Sequence, residues 1–238
     1  MRIARQISQL AVAASLAFAS APALADAITL GSGDIGQTFN FAFDGYSGST
    51  TINGLTSTAA FTLTGVTPTS YTFNYSLTNT TSDPVNSRLS GFAFNTDPNI
   101  ASASSTGAFS YTTINGSYPN GIGSVDVCFK DASTGACSGG GNGGLLDGQT
   151  GTGSFTLNFA QPLTSLTLSD FFVRYQSITG AGNISSASGT GTLTSTGGST
   201  STGGTPVPEP GMIGLLGAAL AGLAFARRRT GQRQIALA

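Results

Sequence analysis

Carboxylates and one pair of cysteines are the groups in this chain that could do chemistry, because its 238 residues include no histidine. Without histidine there is no Ser-His-Asp or Cys-His nucleophile, no imidazole base and no imidazole-ligated metal. Acid–base work would fall to the nine aspartates between Asp26 and Asp170, a stretch that also lacks glutamate. A glycoside hydrolase needs only two carboxylates. However, Asp44, Asp83, Asp97 and Asp147 each precede Gly or Pro, where an aspartate carboxylate caps the local turn. No aspartate sits in a catalytic signature, so no catalytic residue is assigned. Calcium is the cofactor that an acidic, loop-rich chain could gather, and residues 126–147 are where it would bind. That region holds Asp126, Asp131, Asp147, both cysteines and the glycine run 139–144. Its spacing matches neither an EF-hand nor a Gly-Gly-x-Gly-x-Asp repeat, so it reads as a solvated loop and no cofactor or metal ligand is assigned. The glycine run also lacks the Gly-Lys-Ser/Thr ending of a phosphate cradle.

Cys128 and Cys137 enclose eight residues. In an exported chain they predict one disulfide, contributing about 2–3 kcal/mol by closing a short loop. Two thiols without histidine do not complete a usual zinc shell. Val125, Val127 and Phe129 alternate with Asp126, Cys128 and Lys130. Strand alternation therefore puts the three apolar residues on the core face and Cys128 on the other. The bridge is expected to pin the glycine-rich loop over the outer side of its sheet.

The elements that must position these groups begin after a leader. Arg2 and Arg5 precede an apolar run, and Ala23-Leu24-Ala25 follows it. Residues 1–25 thus read as a secretory signal peptide. Beyond it, period-two runs predict strands: Phe39, Phe41 and Phe43; Phe61 and Leu63; Tyr71, Phe73, Tyr75 and Leu77. Further strands are expected at residues 88–94, 124–129, 153–159 and 163–175, the last with a phase switch at Ser169-Asp170 that calls for a bulge. Asp44-Gly45, Asn53-Gly54, Asp83-Pro84, Asp97-Pro98, Asn115-Gly116 and Asn120-Gly121 read as turns. About ten strands and no helical period predict an all-β fold, a single β-sandwich or jelly-roll-like domain over residues 26–184. Phe39, Phe41, Phe73, Phe92, Phe94, Phe155 and Phe159 should share its core. Residues 185–206 are nearly all Ser, Thr and Gly and read as a flexible stalk, with Leu193 permitting an edge strand around 189–193. This body has three basic and nine acidic residues, a net charge of −6, and so no basic patch for nucleic acid.

The chain closes with Pro208-Glu209-Pro210, an uncharged run over 211–226, and Arg227, Arg228 and Arg229. Sixteen uncharged residues fall just short of the usual span of about 17–25, and snorkelling arginines could extend it. The arginines should remain cytoplasmic. These three parts in order resemble the PEP-CTERM sorting signal of Gram-negative bacteria, placed at residues 207–238. The resemblance implies export by the Sec machinery, a transmembrane helix that anchors the chain in the inner membrane, and cleavage near the motif by an exosortase-like membrane protease. It implies an address and no molecular activity. The Cys128 and Cys137 region, with Phe172-Val173-Arg174-Tyr175-Gln176-Ser177, resembles the subgroup called cistern proteins, to which no activity is attached.

The expectation is therefore a non-enzymatic surface or extracellular-matrix protein associated with exopolysaccharide and biofilm. One alternative is a carbohydrate-binding module, with Tyr46, Tyr111 and Tyr118 available to stack on sugar rings but no tryptophan. A two-carboxylate hydrolase is the other.

Overall fold

The computed structural model describes residues 26–134, 136–140 and 143–197. The expected signal peptide, the end of the expected stalk and the whole sorting segment lie outside these residues. Among the described residues twelve strands, all paired antiparallel, make up one sheet. They are β1 (Ile28–Leu30), β2 (Thr38–Ser47), β3 (Thr50–Thr67), β4 (Ser70–Asn79), β5 (Asn86–Asp97), β6 (Ser102–Ser105), β7 (Tyr111–Tyr118), β8 (Gly123–Lys130), β9 (Leu145–Leu146), β10 (Thr150–Asn158), β11 (Leu166–Thr179) and β12 (Ser186–Gly197). Two single 3₁₀ turns are the only helical elements among the described residues.

The main path runs β6-β10-β4-β3-β2-β12-β11-β5-β8-β7, with β1 on β11 and β9 on β5. The sheet folds over so that its end strands, β6 and β7, approach each other and nearly close it. Aromatic rings fill the space between the two halves. Phe61 on β3 lies 5.4 Å from Phe92 on β5, and Phe41 on β2 lies 4.2 Å from Phe171 on β11. Neither pair is on neighbouring strands, so both contacts cross the core. Every phenylalanine expected inside is buried in this one cluster. The phase switch in β11 is also present: the β5–β11 register slips between Ser169 and Phe172, and Asp170 takes φ +53°.

Two expectations are corrected. First, the stalk does not begin at 185, because residues 186–197 form β12. Nor is β12 an edge strand, since it lies between β2 and β11. Its composition reads as low complexity, yet it alternates. Ala187, Gly189, Gly191 and Leu193 form one parity, and Ser188, Thr190, Thr192 and Thr194 the other. The glycines face large neighbours: a Cβ on Gly191 would come within 2.7 Å of the Phe43 ring, and one on Gly189 within 2.8 Å of Val173 Cγ2. Aromatics on the flanking strands supply the volume that β12 lacks. Second, Asp44-Gly45, Asn53-Gly54 and Asn115-Gly116 are not chain reversals but lie inside β2, β3 and β7. The β2–β3 reversal is at Gly48-Ser49, and Asn53-Gly54 belongs to a bulge opposite Gly45. Gly54 takes φ +84°, and a Cβ there would meet the Ser82 carbonyl at 3.0 Å.

Candidate functional site

The two outer faces of this folded sheet differ in kind. On the β11–β5–β8 side the β7–β8 hairpin bends over the sheet. The β5–β8 ladder ends at the Phe94–Val127 pair, and side chains take over from there. Asp126 N donates to Asn95 Oδ1 at 3.0 Å, and Thr96 N donates to Asp126 Oδ2 at 2.7 Å. Asn95 Nδ2 donates to Asp170 Oδ2 at 3.0 Å. Asp126 and Asp170 are thus brought together around Asn95, each holding a neighbouring segment in place.

Beneath the bent hairpin the Cys128–Cys137 disulfide forms, with Cα atoms 5.7 Å apart. Cys128 does lie opposite Val127 and Phe129, as alternation required, but its face is not open to water. Cys128 is 0 % exposed and Cys137 1 %. They form a second apolar cluster with Ala93, Tyr118 and Val125, against which Ile122 and Phe172 pack. Val125, expected in the main core, belongs here instead. Lys130, expected outside, is buried. Gly116 must be glycine for the same reason, since a Cβ there would lie 2.4 Å from Cys137 Sγ.

The loop beyond the bridge is held, not free. Ser90 Oγ donates to the Ser138 carbonyl at 2.9 Å, and Gln176 Nε2 donates to Ser90 Oγ at 3.1 Å and to the Ser138 carbonyl. Asp131 Oδ1 accepts from Gly140 N at 2.7 Å. Burial raises the Asp131 carboxyl above its ordinary value, opposed by the Gly140 amide and by the charges of Lys130 and Arg88. Asp147 serves elsewhere: its Oδ1 accepts from Ser87 N at 3.1 Å and from Asn79 Nδ2 at 3.2 Å. The acids of residues 126–147 are therefore spread over three local structures. Among the described residues no three Asp or Cys side chains come together as a metal site.

Arg174 is buried on this face and donates through Nη1 to the Ala187 carbonyl at 3.1 Å. With its amide oxygen turned toward them, Asn120 at the hairpin tip accepts from Arg174 Nη1 at 3.1 Å and from Ser188 N at 2.8 Å. Burial lowers the guanidinium pKa, and the nearby Tyr118 opposes that shift. Burial raises the Tyr118 phenol well above its usual value, and its hydroxyl has no hydrogen-bond partner among the described residues. Tyr118 therefore cannot serve as a sugar platform, whereas Tyr111 is exposed and Tyr46 half-buried.

No described residue covers the other outer face. β12, β2, β3, β4 and β10 lie side by side, and their registers place outward residues in rows. One row is Thr192, Ala42, Thr58, Thr78 and Thr150; the next is Ser195, Asn40, Ala60, Ser76 and Thr152. Asp44 is the one carboxylate among the outward positions of these rows and their neighbours along β2, and none of these positions is basic. Hydroxyls join the strands: Thr38 to Thr62 at 2.8 Å, Thr72 to Thr156 at 3.1 Å and Thr78 to Thr150 at 2.8 Å. Two cavities indent the face. One, of about 290 Å³, opens where Ala42 and Ala60 stand lower than Asn40, Thr58, Ser76 and Thr78. The other, of about 320 Å³, is lined by Asp44, Tyr46, Ser49, Thr51, Thr190 and Thr192. They adjoin at the Thr192–Ala42 pair.

The described body is an all-β domain with one face covered by its own β7–β8 hairpin over the disulfide and the other left as a hydroxyl-rich surface. A family model for the PEP-CTERM protein-sorting motif matches residues 206–229. The matched span contains Pro208, Glu209, Pro210, Arg227, Arg228 and Arg229. It implies an exported protein, anchored in the membrane and then processed by an exosortase. No curated protein and no solved structure matches the chain.

Proposed function

We propose that the chain is a non-enzymatic surface or matrix protein, exported through the Sec route by a signal peptide over residues 1–25 and released or transferred outward by exosortase cleavage near Pro208-Glu209-Pro210. Its β body acts as a stable module within extracellular polysaccharide and biofilm. The observation that supports this reading most is the sorting motif at 206–229. The use of the acids points the same way. Asp126, Asp131, Asp147 and Asp170 all accept hydrogen bonds that fix hairpins and loops, a structural task rather than a poised acid–base one. Expression in hosts with and without exosortase, followed by fractionation and intact mass of the C-terminus, tests the proposal. The competent host should yield a chain shortened near Pro210 in the exterior fraction. A full-length C-terminus in that host would sink it.

The carbohydrate-binding reading is favoured by one specific observation, the cavity that puts Tyr46 and Asp44 beside the hydroxyls of Thr51, Thr190 and Thr192.

A further inference from the structure

From the hydroxyl-rich outer face we infer a binding trough for a linear, uncharged polysaccharide, running along β2 from Asn40 past Ala42 and Asp44 to Tyr46. The inference rests on the matrix reading above and assigns its contact surface. Four features carry it.

The first is shape. One cavity lies across β2, β3 and β4 at Ala42 and Ala60, the other lies beside β2 at Asp44 and Tyr46, and they adjoin at the Thr192–Ala42 pair. Six strand steps from Asn40 to Tyr46 span about 20 Å at the usual rise, several times the width of one sugar ring. Ala42 and Ala60 form the low floor, and Thr58, Thr78 and Thr192 form the banks. The second is polarity. Threonine, serine and asparagine both donate and accept, as sugar hydroxyls do, so a chain of sugars can exchange hydrogen bonds along the trough without desolvating a charge. The third is charge. The trough offers no cation, Asp44 stands within it, and the body carries −6. A polyanion would meet repulsion with nothing to offset it. The fourth is rigidity. The lining threonines are β-branched and stand on paired strands, and Thr78 is bonded across to Thr150. Little side-chain freedom remains to be lost on binding. Tyr46 closes one end with an aromatic face on which a ring can stack, and Asp44 beside it can accept from sugar hydroxyls.

Affinity electrophoresis of the exported chain tests this, with amylose, a soluble β-1,3-glucan and hydroxyethyl cellulose as neutral probes, alginate as the polyanion and glucose as the short competitor. Retardation is expected with a neutral polymer, not with alginate, and glucose should compete poorly. Ala42→Arg and Ala60→Arg fill the floor with a side chain that can still reach water, and each should weaken retention at least about tenfold, equivalent to about 1.4 kcal/mol. Tyr46→Ala should weaken it by a smaller factor. Ser133→Arg, on an exposed loop outside the trough, should change nothing. Thermal unfolding and disulfide mapping establish that the variants fold. Equal retention of wild type and Ala42→Arg overturns the trough and leaves the matrix reading standing. Presence in the host matrix with no retardation by any neutral polymer overturns the ligand class. Absence from the host matrix removes the matrix reading itself, and the trough with it.

Discussion

Replacing the cysteine pair should show whether the outer side of β8 is a second core. Two double variants are compared, Cys128→Ala with Cys137→Ala, and Cys128→Ser with Cys137→Ser. Loss of the crosslink contributes the same in both. For the closed loop from Cys128 to Cys137, at a separation of 9 and so about ten residues counting both cysteines, the chain-entropy relation gives about 2.7 kcal/mol. A bridge on an open surface would lose no more than that. Here both sulfurs are buried against Ala93, Tyr118 and Val125, so truncation to alanine also leaves a small void, about 1 kcal/mol for each site. Serine adds a polar burial cost. The two new hydroxyls can bond each other, but their remaining capacity has no partner in an apolar cluster, and this costs about 1–3 kcal/mol. The alanine pair should therefore lose about 4–5 kcal/mol and the serine pair about 5–8 kcal/mol. Urea unfolding of the exported chain, followed by far-UV circular dichroism, reads both losses as shifts in midpoint at unchanged slope. Total stabilities of about 5–15 kcal/mol are usual, so the serine pair stands near the limit of folding. A serine pair as stable as the alanine pair, or a loss below about 2.7 kcal/mol in both, would refute the second core.

Two tyrosines should respond oppositely to loss of their hydroxyls. Tyr118 Oη has no partner among the described residues, so Tyr118→Phe should be neutral or stabilising by up to about 1 kcal/mol. Tyr75 Oη donates to the Thr106 carbonyl at 2.8 Å and accepts from Phe109 N at 2.9 Å, so Tyr75→Phe should cost about 1–3 kcal/mol; thermal unfolding of the two variants ranks them. The Asp131 carboxyl, raised first by burial, holds its proton more tightly folded than unfolded. Its contribution to stability therefore rises as pH falls through the raised folded value toward the unfolded value near about 3.9, the reverse of ordinary acid destabilisation. Urea midpoints between pH 7 and 4 should show that rise diminished in Asp131→Asn, and an unchanged pH profile would count against the half-buried setting of the Asp131 carboxyl.

The strands carrying large apolar residues at alternate positions were legible because one face must leave water and the other must not. β2, β4, β5 and β10 follow from that rule alone, and so does the bulge at Asp170, where the apolar parity changes within one run. The hydroxyl face was legible in part. The residues alternating with the large apolar side chains of β2 and β4 are Thr, Asn, Ser and Ala, with Asp44 the one charge. What could not be seen is that five such strands are neighbours, because register and order are long-range properties. Asn53-Gly54 shows the same limit from the other side. Its dihedral requirement is local and real, but a left-handed glycine serves a bulge as well as a reversal.

By itself the sequence determined the address, the all-β class, the aromatic core and the pairing of two cysteines in an exporting chain, since each depends on composition or on short periods. The tertiary structure alone decided two things. It made β12 a central strand, because glycine and alanine next to Phe43 and Phe171 are a fit and not a deficit, and that complementarity exists only once β2 and β11 lie on either side. It also decided which face is covered. Alternation tells a residue which side of its strand it occupies, but whether that side meets water depends on what folds over it, and the hairpin that buries Cys128 is held at its tip by Asn120 against Arg174 and Ser188, far from the bridge in sequence.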